Sequence, residues 1–557
     1  MEIFENATLR EASVGLEQYA TLPRLAVVGL VFCLTFLLWR PQASSQPPSL
    51  QEAIPLVSNT YLFMTNKEAF IRKAADFVRG RFDIVQFRLG LKKIYLVTGE
   101  KNVQALMKST PGLRAETGVE TLLESVWAMP KEEVQHWRLD KTGRGKTPLP
   151  GTEGLPDDRR FWYISHQIYD NYLTAKKYAD NYTLKFYDIF EKHLDSMPVS
   201  SEWSTFGVYD WVRHQMAECA LMSVMGTHII DMNPGFLDAL WDTDRVTPDL
   251  VAGFPRWMQP GPYDIRDKFY AMARKWVETS MAQFDFDGPD QDVDWEPLFG
   301  ARVTREQAKW MSQNHCGETL GGFFGTFAAG VVANSVPAAT WALMELLKDP
   351  ELYQEVRAEV QTAVVTDPET GKRSMNVPKL LTLPLLQSVY VETMRLHVSY
   401  SIFRAVTQPV TIGGYQIEEG AAVLATTCIA HVDDAAWNAQ GTHPASQFWG
   451  ARHIKFVEEV DEKGNKATVP KFAMAARPSS FFPYGGGQSI CPGRHVAKQH
   501  LLMMLALLLA RFEIEMIEWV NGDGSKSDRE PEHVSAYVGV LAMPPDRDMK
   551  ARWRKMW

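Results

Sequence analysis

Residues 481–497 read Phe481-Phe482-Pro483-Tyr484-Gly485-Gly486-Gly487-Gln488-Ser489-Ile490-Cys491-Pro492-Gly493-Arg494-His495-Val496-Ala497, and nothing else in the chain restricts its fold as strongly. Three consecutive glycines permit backbone conformations and close approaches closed to other residues. One cysteine follows, flanked by an apolar residue and a proline, and a long helical pattern begins directly after it. A thiolate at such a place can accept N–H bonds from the preceding loop and sit near a helix amino terminus, both of which lower its pKa. Three readings are a phosphate-cradling loop, a buried structural cysteine and a metal-ligating thiolate. The first lacks the GK[ST] ending. The second leaves the glycines unexplained.

Composition narrows the class without naming a function. The chain has 557 residues, 45% of them hydrophobic and 22% charged, with a formal net charge of −9. That is globular make-up, and it excludes a disordered, collagen-like or disulfide-scaffold chain. The acidic balance argues against nucleic-acid binding, which needs a basic face. The five cysteines (Cys33, Cys219, Cys316, Cys428, Cys491) are scattered, with no CxxC pair, so neither a zinc ribbon nor a thioredoxin-type site is expected.

At the amino terminus, Leu25 to Trp39 is apolar apart from Thr35, and Leu22 and Pro23 extend the run across Arg24. Eighteen helical residues from Leu22 rise about 27 Å, close to the roughly 30 Å hydrocarbon core. A cleaved signal peptide is the rival, but it wants a basic start. Residues 1–21 instead carry Glu2, Glu5, Glu11 and Glu17 against Arg10 alone. The expected plan is a lumenal tail (1–21), a retained transmembrane anchor (22–40), a proline- and serine-rich linker (41–55) and one large domain (56–557). Asn6-Ala7-Thr8 is then a lumenal glycosylation acceptor, whereas Asn181-Tyr182-Thr183 faces the cytosol unused.

The body is mostly helical in period. Asp170–Leu194, Ser388–Leu396 and Val496–Phe512 read as helices, and Ile84–Leu89, Lys93–Thr98 and Val410–Thr427 read as strands, the last turning at Gly413-Gly414. The expectation is a mainly α, α+β fold with small sheets. Glu458–Lys471 reads as a surface insertion. Thr319 to Met344 runs 26 residues without a charge, so it is either a second membrane span or a helix through the centre of a soluble domain.

Tyr484 through Ala497 resembles the haem-binding loop of the cytochromes P450, an aromatic-x-x-Gly-x-x-x-Cys-x-Gly-x-x-x-Ala pattern. The resemblance implies the P450 fold, a haem b cofactor and Cys491 as axial thiolate on its iron, favouring O–O cleavage; it places Tyr484, Gly485 and Gly493 beside the cofactor. Upstream, Glu392-Thr393-Met394-Arg395 is an i, i+3 pair whose bland reading is a surface ion pair. In its position it resembles the family's buried Glu–Arg pair, with Arg452 as third member. Arg404 falls where the family sets an arginine on a haem propionate. The charge-free segment then becomes the family's central helix over the haem.

Several departures matter. Asn334 stands where most members carry the threonine of an acid–alcohol pair, and Ala333 replaces the acid, so the usual proton relay is missing; Asn334 would orient oxygen or water instead. Pro337 deprives the Ala333 carbonyl of its helical partner, so the helix must distort there. Asn-x-x-Pro followed by Trp341 resembles the branch of sterol 7α-hydroxylases, prostacyclin synthase and many filamentous-fungal enzymes of specialised metabolism. Ser489 occupies a position where a basic residue often meets a propionate, so that charge must come from elsewhere. The family's Trp-x-x-x-Arg helix has no clear counterpart. Arg159, Arg160 and Trp162 are candidates, against a solvated charged face.

The implied activity is an anchored monooxygenase of the endoplasmic reticulum membrane, single-pass with its catalytic domain cytoplasmic. It would use dioxygen and electrons from NADPH-cytochrome P450 reductase, with cytochrome b5 as an accessory donor, to hydroxylate or epoxidise a bulky lipophilic molecule (a terpenoid, steroid or polyketide) in secondary metabolism. The alternatives are a P450-type isomerase or dehydratase needing no reductase, and a non-catalytic haem sensor. Phe324, Phe327, Ala328, Tyr400, Ile402, Phe403, Tyr537 and Val538 are expected pocket residues, with Phe254, Trp257 and Met258 at a membrane-facing entrance.

Overall fold

An apolar sequence without a polar face must be surrounded, and two such helices lie at the middle of this molecule. The computed structural model describes residues 46–108, 110–438, 441–460, 466–474 and 479–557. The tail, the anchor, Asn6 and the start of the linker lie outside them. The helices that position the site are α1 (Phe161–Tyr169), α2 (Lys176–Ser196), α3 (Phe236–Ala252), α4 (Pro260–Gln283), α5 (Leu320–Val332), α6 (Ser335–Lys348), α7 (Pro384–His397) and α8 (Arg494–Arg511). α8 is buried continuously from His500 to Arg511 and packs on α2 and α6.

The charge-free segment becomes α5 and α6. Its most apolar window is 72% buried inside the protein, so it is a core element rather than a second span. Its glycines permit close packing. A side chain at Gly322 would start 1.7 Å from the carbonyl oxygen of Trp127, and one at Gly325 would meet the Tyr270 ring of α4 at 2.3 Å. The helix breaks at Ala333–Asn334, as the missing N–H of Pro337 requires. The expected helix 170–194 is also interrupted: Asp170–Thr174 winds as a π-turn and extended Ala175 separates it from α2.

The main sheet has five strands, β1 (Ile84–Leu89), β2 (Lys92–Val97), β3 (Leu113–Arg114), β4 (Ser401–Val406) and β5 (Ala422–Thr426), in the order β1-β2-β5-β4-β3. Val410–Thr427 is not one hairpin. Val410–Ile412 pairs with Tyr415–Ile417 around Gly413-Gly414, while β5 leaves to run parallel to β2. A second sheet joins Phe512–Val520, Asp548–Lys555, Ser204–Gly207 and Lys526–Ser527. The charged insertion is a hairpin of Ile454–Val460 on Lys466–Phe472. The folded body begins before residue 56, because Ser49 bridges to Gln86, and the Gln86 side chain donates to the Pro47 carbonyl.

Candidate active site

The glycine loop is closed by backbone bonds alone. Gly485 N–H donates to Phe482 O, Ile490 N–H to Gly487 O and Cys491 N–H to Tyr484 O (2.9, 3.1 and 2.9 Å). Gly487 has φ +62°, and a side chain there would start 1.7 Å from the Met107 carbonyl, so the loop docks directly on the end of the helix Glu100–Met107. Burial raises the Cys491 thiol pKa, while the N–H of Gly493, the Arg494 charge and the Arg494 N–H oppose the shift. The donors near sulfur therefore follow the cysteine, and in the protein alone burial outweighs them. Tyr484 also holds Tyr390 of α7 through their hydroxyls (2.7 Å). Gly493 caps α8, its Cβ position 3.9 Å from Sγ.

Glu392, Arg395 and Arg452 meet in the interior, each almost fully buried. Glu392 takes Arg395 Nη2 (2.7 Å), Arg395 Nε (2.8 Å), Arg452 Nε (2.9 Å) and the Trp449 N–H (3.1 Å). Burial pushes this carboxyl up, but the hydrogen bonds from Arg395, the His453 ring 3.7 Å away and the two arginine charges win, holding it at about 2. The remaining guanidinium donors end on the carbonyls of His431, Ala445 and Gln447 (from Arg395) and of Trp437, His443, Pro444 and Gln447 (from Arg452). His431 carries this order to the cysteine loop. Its Nδ1 bonds the Arg395 carbonyl (2.9 Å) and its Nε2 accepts the Phe482 N–H (3.2 Å). Burial drops its pKa to about 3, so it is neutral with the proton on Nδ1.

Three arginines gather on one side of the cysteine. Arg404 on β4, Arg114 on β3 and Arg144 from the segment before α1 share one neighbour, Glu116, which lies within electrostatic reach of Arg404 and close to the other two. Buried Nε and Nη2 of both Arg404 and Arg114, and Nε of Arg144, have no hydrogen-bond partner in the protein. Glu116 is their carboxylate neighbour, 3.9 Å from Arg114 and 3.5 Å from Arg144. Three positive charges against one negative leave a buried site that a dianion would balance. Tyr169 and Tyr400 lie within electrostatic reach of both Arg144 and Cys491, which ties the arginines to the thiol.

Arg144 is delivered by Arg160: of the stretch read as a solvated face, Asp157, Asp158 and Arg159 are exposed, whereas Arg160 turns inward. Arg160 is 2% exposed and donates to the carbonyls of Gly145 and Lys146 (2.5 and 2.9 Å) and to Thr142 Oγ1 (3.2 Å). Trp162 is buried, and four residues on, where an arginine was sought, stands His166 beside Arg144 and the Gln488 backbone. Trp162-x-x-x-His166 was the signal available in the sequence. Arg114 and Arg144 had none.

One face of the central helix is open. Phe327, Gly330, Val331 and Asn334 share it at helical spacing, all at least partly exposed, and a side chain at Gly330 would meet nothing within 4 Å. The Phe327 ring stands 6.0 Å from that of Tyr169. Phe324 and Ala328 are fully buried, Phe324 against the Trp276 ring of α4, and neither is exposed on this face. Val538 is buried too, packed with Tyr537 and Met543 against Ile71 and Cys428, and Ile402 lies within the sheet core. Phe403, 37% exposed, and Tyr400 keep the expected accessibility. Asn334 Oδ1 accepts the Ala542 N–H at 2.9 Å, so only its Nδ2 donors remain to meet a bound molecule.

Tyr537 joins the carboxy-terminal segment to α3, its hydroxyl 3.0 Å from both Asp244 O and Oδ2. Burial pushes the Asp244 carboxyl up to about 6. A raised carboxyl favours the folded state at low pH, and that advantage is lost as pH rises from the unfolded value near 4 through 6. Asp244→Asn is thus expected to raise the melting temperature at pH 7.5 and to match wild type near pH 4. Parallel melting curves at the two pH values check this. Near the end of α3, Phe254, Trp257 and Met258 are exposed, Trp257 by 82%.

Residues 236–530 match the cytochrome P450 family model. The chain is 42% identical over 537 residues to cytochrome P450 monooxygenase calL of Penicillium decumbens, covering 96% of this chain and 98% of that protein. It is 26% identical to cytochrome P450 monooxygenase fsoE of Humicola fuscoatra (92% and 88% covered), and 22% identical to cytochrome P450 7A1 of Rattus norvegicus (64% and 67%). The chain belongs to the cytochrome P450 family. It is a cytochrome P450 monooxygenase, and its family implies a haem, a redox partner and a lipophilic substrate. The residues present fit a haem: the half-buried Cys491 thiol, with an arginine set short of negative charge near it, matches an iron porphyrin with two carboxylates.

Proposed function

We propose that this chain is a haem-thiolate enzyme that hydroxylates or epoxidises a bulky apolar molecule in secondary metabolism, in which Cys491 would hold the iron of haem b through its sulfur. The observation that carries the reading is the single thiol and the doubly positive arginine site in reach of the same two tyrosines, beneath an apolar helix face. When bound, the haem supplies an iron centre that activates dioxygen. The chain's own residues do the rest. Cys491 offers sulfur from a loop fixed by Tyr484, Gly485 and Gly493. Arg404, Arg114 and Arg144 hold the two propionates, and Arg144 supplies the charge that Ser489 cannot.

Phe327, Gly330 and Val331 exclude water and accept an apolar skeleton, while Asn334 Nδ2 donates to an oxygen of the bound molecule. The acid–alcohol pair is absent, so protons reach the cavity by another route. On the same reading, residues 22–40 anchor the enzyme in the endoplasmic reticulum membrane with the catalytic domain cytoplasmic and Asn6 glycosylated in the lumen. NADPH-cytochrome P450 reductase, with cytochrome b5, is the electron donor.

Co-expression with a reductase in a host lacking related pathways, followed by metabolite profiling under ¹⁸O₂, tests the reading. New products carrying ¹⁸O only when the reductase is present are expected. Product formation without reductase or oxygen would instead identify an isomerase or dehydratase. Arg144→Ala is expected to release haem to apomyoglobin about tenfold faster than wild type, the loss of one charge-assisted contact.

A further inference from the structure

The break in the central helix is fastened from outside. Asn334 Oδ1 accepts the N–H of Ala542 at 2.9 Å, and the indole N–H of Trp341 donates to the next carbonyl, Met543 O, at 2.8 Å. Residues seven apart are about two helical turns apart and share a face. Two side chains on one face thus take two consecutive residues of the carboxy-terminal segment. The Trp341 ring is itself fixed, stacked on His397 at 4.3 Å with 11° between planes. From the other side, the end of α7 completes the grip. Met543 N–H donates to His397 O (3.0 Å), Ser399 N–H to Leu541 O (3.2 Å), and Val398 bridges to Ala542.

Val540 and Leu541, both partly exposed, immediately precede this grip. Asn334 stands on the open helix face with Phe327, Gly330 and Val331, so the segment it holds borders the same cavity. At its far end the segment ends on α3 through Tyr537 and Asp244.

We propose that Asn334 and Trp341 are positioning residues: together they clamp the backbone of Ala542–Met543 to the helix break and thereby fix Val540–Leu541 as a rigid cavity wall that sets the size of ligand admitted. This rests on the reading of that cavity as the substrate site. The clamp itself does not, being a pair of observed hydrogen bonds. An oxygen must face the Ala542 N–H, so the acceptor alone is essential to the clamp. Asp at 334 keeps it, and Leu, of similar size, removes it.

The experiment is hydrogen exchange on the full-length, haem-loaded protein, followed at residues 539–543. Asn334→Leu is expected to speed exchange of the Ala542 amide about tenfold, the loss of one buried hydrogen bond. Asn334→Asp should restore wild-type protection. Trp341→Phe, which keeps the ring stacked on His397 but lacks the indole N–H, should loosen the same amides while leaving the Phe512–Val520 sheet protected. If Asn334→Leu loosens the whole protein, Trp341→Phe decides. Unchanged exchange at Ala542 and Met543 in that variant overturns the clamp, as does an Asp variant as fast as Leu. Spectral titration with imidazole and with 4-phenylimidazole then tests the wall. In Trp341→Phe, affinity for imidazole should stay within about twofold, while the ratio of the two affinities shifts at least about fivefold. Loosened amides with an unchanged ratio would leave the clamp standing and overturn its role in setting ligand size.

Discussion

A Cys491→Ser protein is expected to fold, to lose the red-shifted Soret band that thiolate ligation gives the reduced carbon monoxide complex, and to retain less than roughly a thousandth of wild-type turnover. The expectation that it folds comes from the loop. Its closing bonds run from the N–H groups of Gly485, Ile490 and Cys491 to backbone carbonyls, and none uses sulfur. The side-chain neighbourhood is loose enough for oxygen, since the Gly493 Cβ position stands 3.9 Å from Sγ. A stability change within about 1 kcal/mol follows, measurable by urea unfolding. Arg404, Arg114 and Arg144 still offer their charges, so some haem should remain bound. Spectrum and stability therefore separate. A serine variant with an unaltered carbon monoxide spectrum would sink the assignment of Cys491 outright.

Glu392→Gln is expected to cost about 3–5 kcal/mol, enough to deplete the folded haem protein. The glutamate is 0% exposed between two guanidiniums whose other donors end on backbone carbonyls. Removing its charge leaves both cations buried without a counter-ion. The damage should travel along His431, whose two ring nitrogens join the Arg395 carbonyl to the Phe482 N–H at the head of the cysteine loop. Because the folded carboxyl is held at about 2, below its unfolded value, wild-type stabilisation is full above about pH 4.5 and declines as pH falls through 2. The Gln variant should lack this acid-dependent component. Unfolding midpoints between pH 3 and pH 7 for both proteins, with haem content beside them, check the size and the direction.

How much of this was readable beforehand differs from residue to residue for physical reasons. The cysteine loop and Glu392-x-x-Arg395 are local patterns, and their chemistry follows from neighbours within a few positions. Arg114 and Arg144 are not local. They are linked to Arg404 only through their common neighbour Glu116 and through a segment held by Arg160. Arg160 misleads in sequence because two aspartates beside two arginines look solvated, whereas it turns inward to bind carbonyls. Phe324 and Ala328 were expected in the cavity because a helix without a charge gives no phase. Only the packing of α4 on Gly322 and Gly325 decides which side is core. The break at Ala333 was legible from Pro337, but the backbone that the Asn334 side chain holds beside it, at Ala542, lies 208 residues away.

The docking of the cysteine loop has a further meaning for biosynthesis. Gly487 sits directly on the Met107 carbonyl, and the Thr174 hydroxyl donates to the Pro492 carbonyl across a separation of 318 residues. Early-made and late-made parts of the chain thus complete one small structure, and contacts of such long sequence range form late. A nascent chain cannot assemble the thiol site until α8 and the sheet behind it have been synthesised, and shortened chains that stop before residue 480 lack it altogether. A cofactor held at Cys491 can therefore load only after residues 481–511 have been made, however complete the body before them.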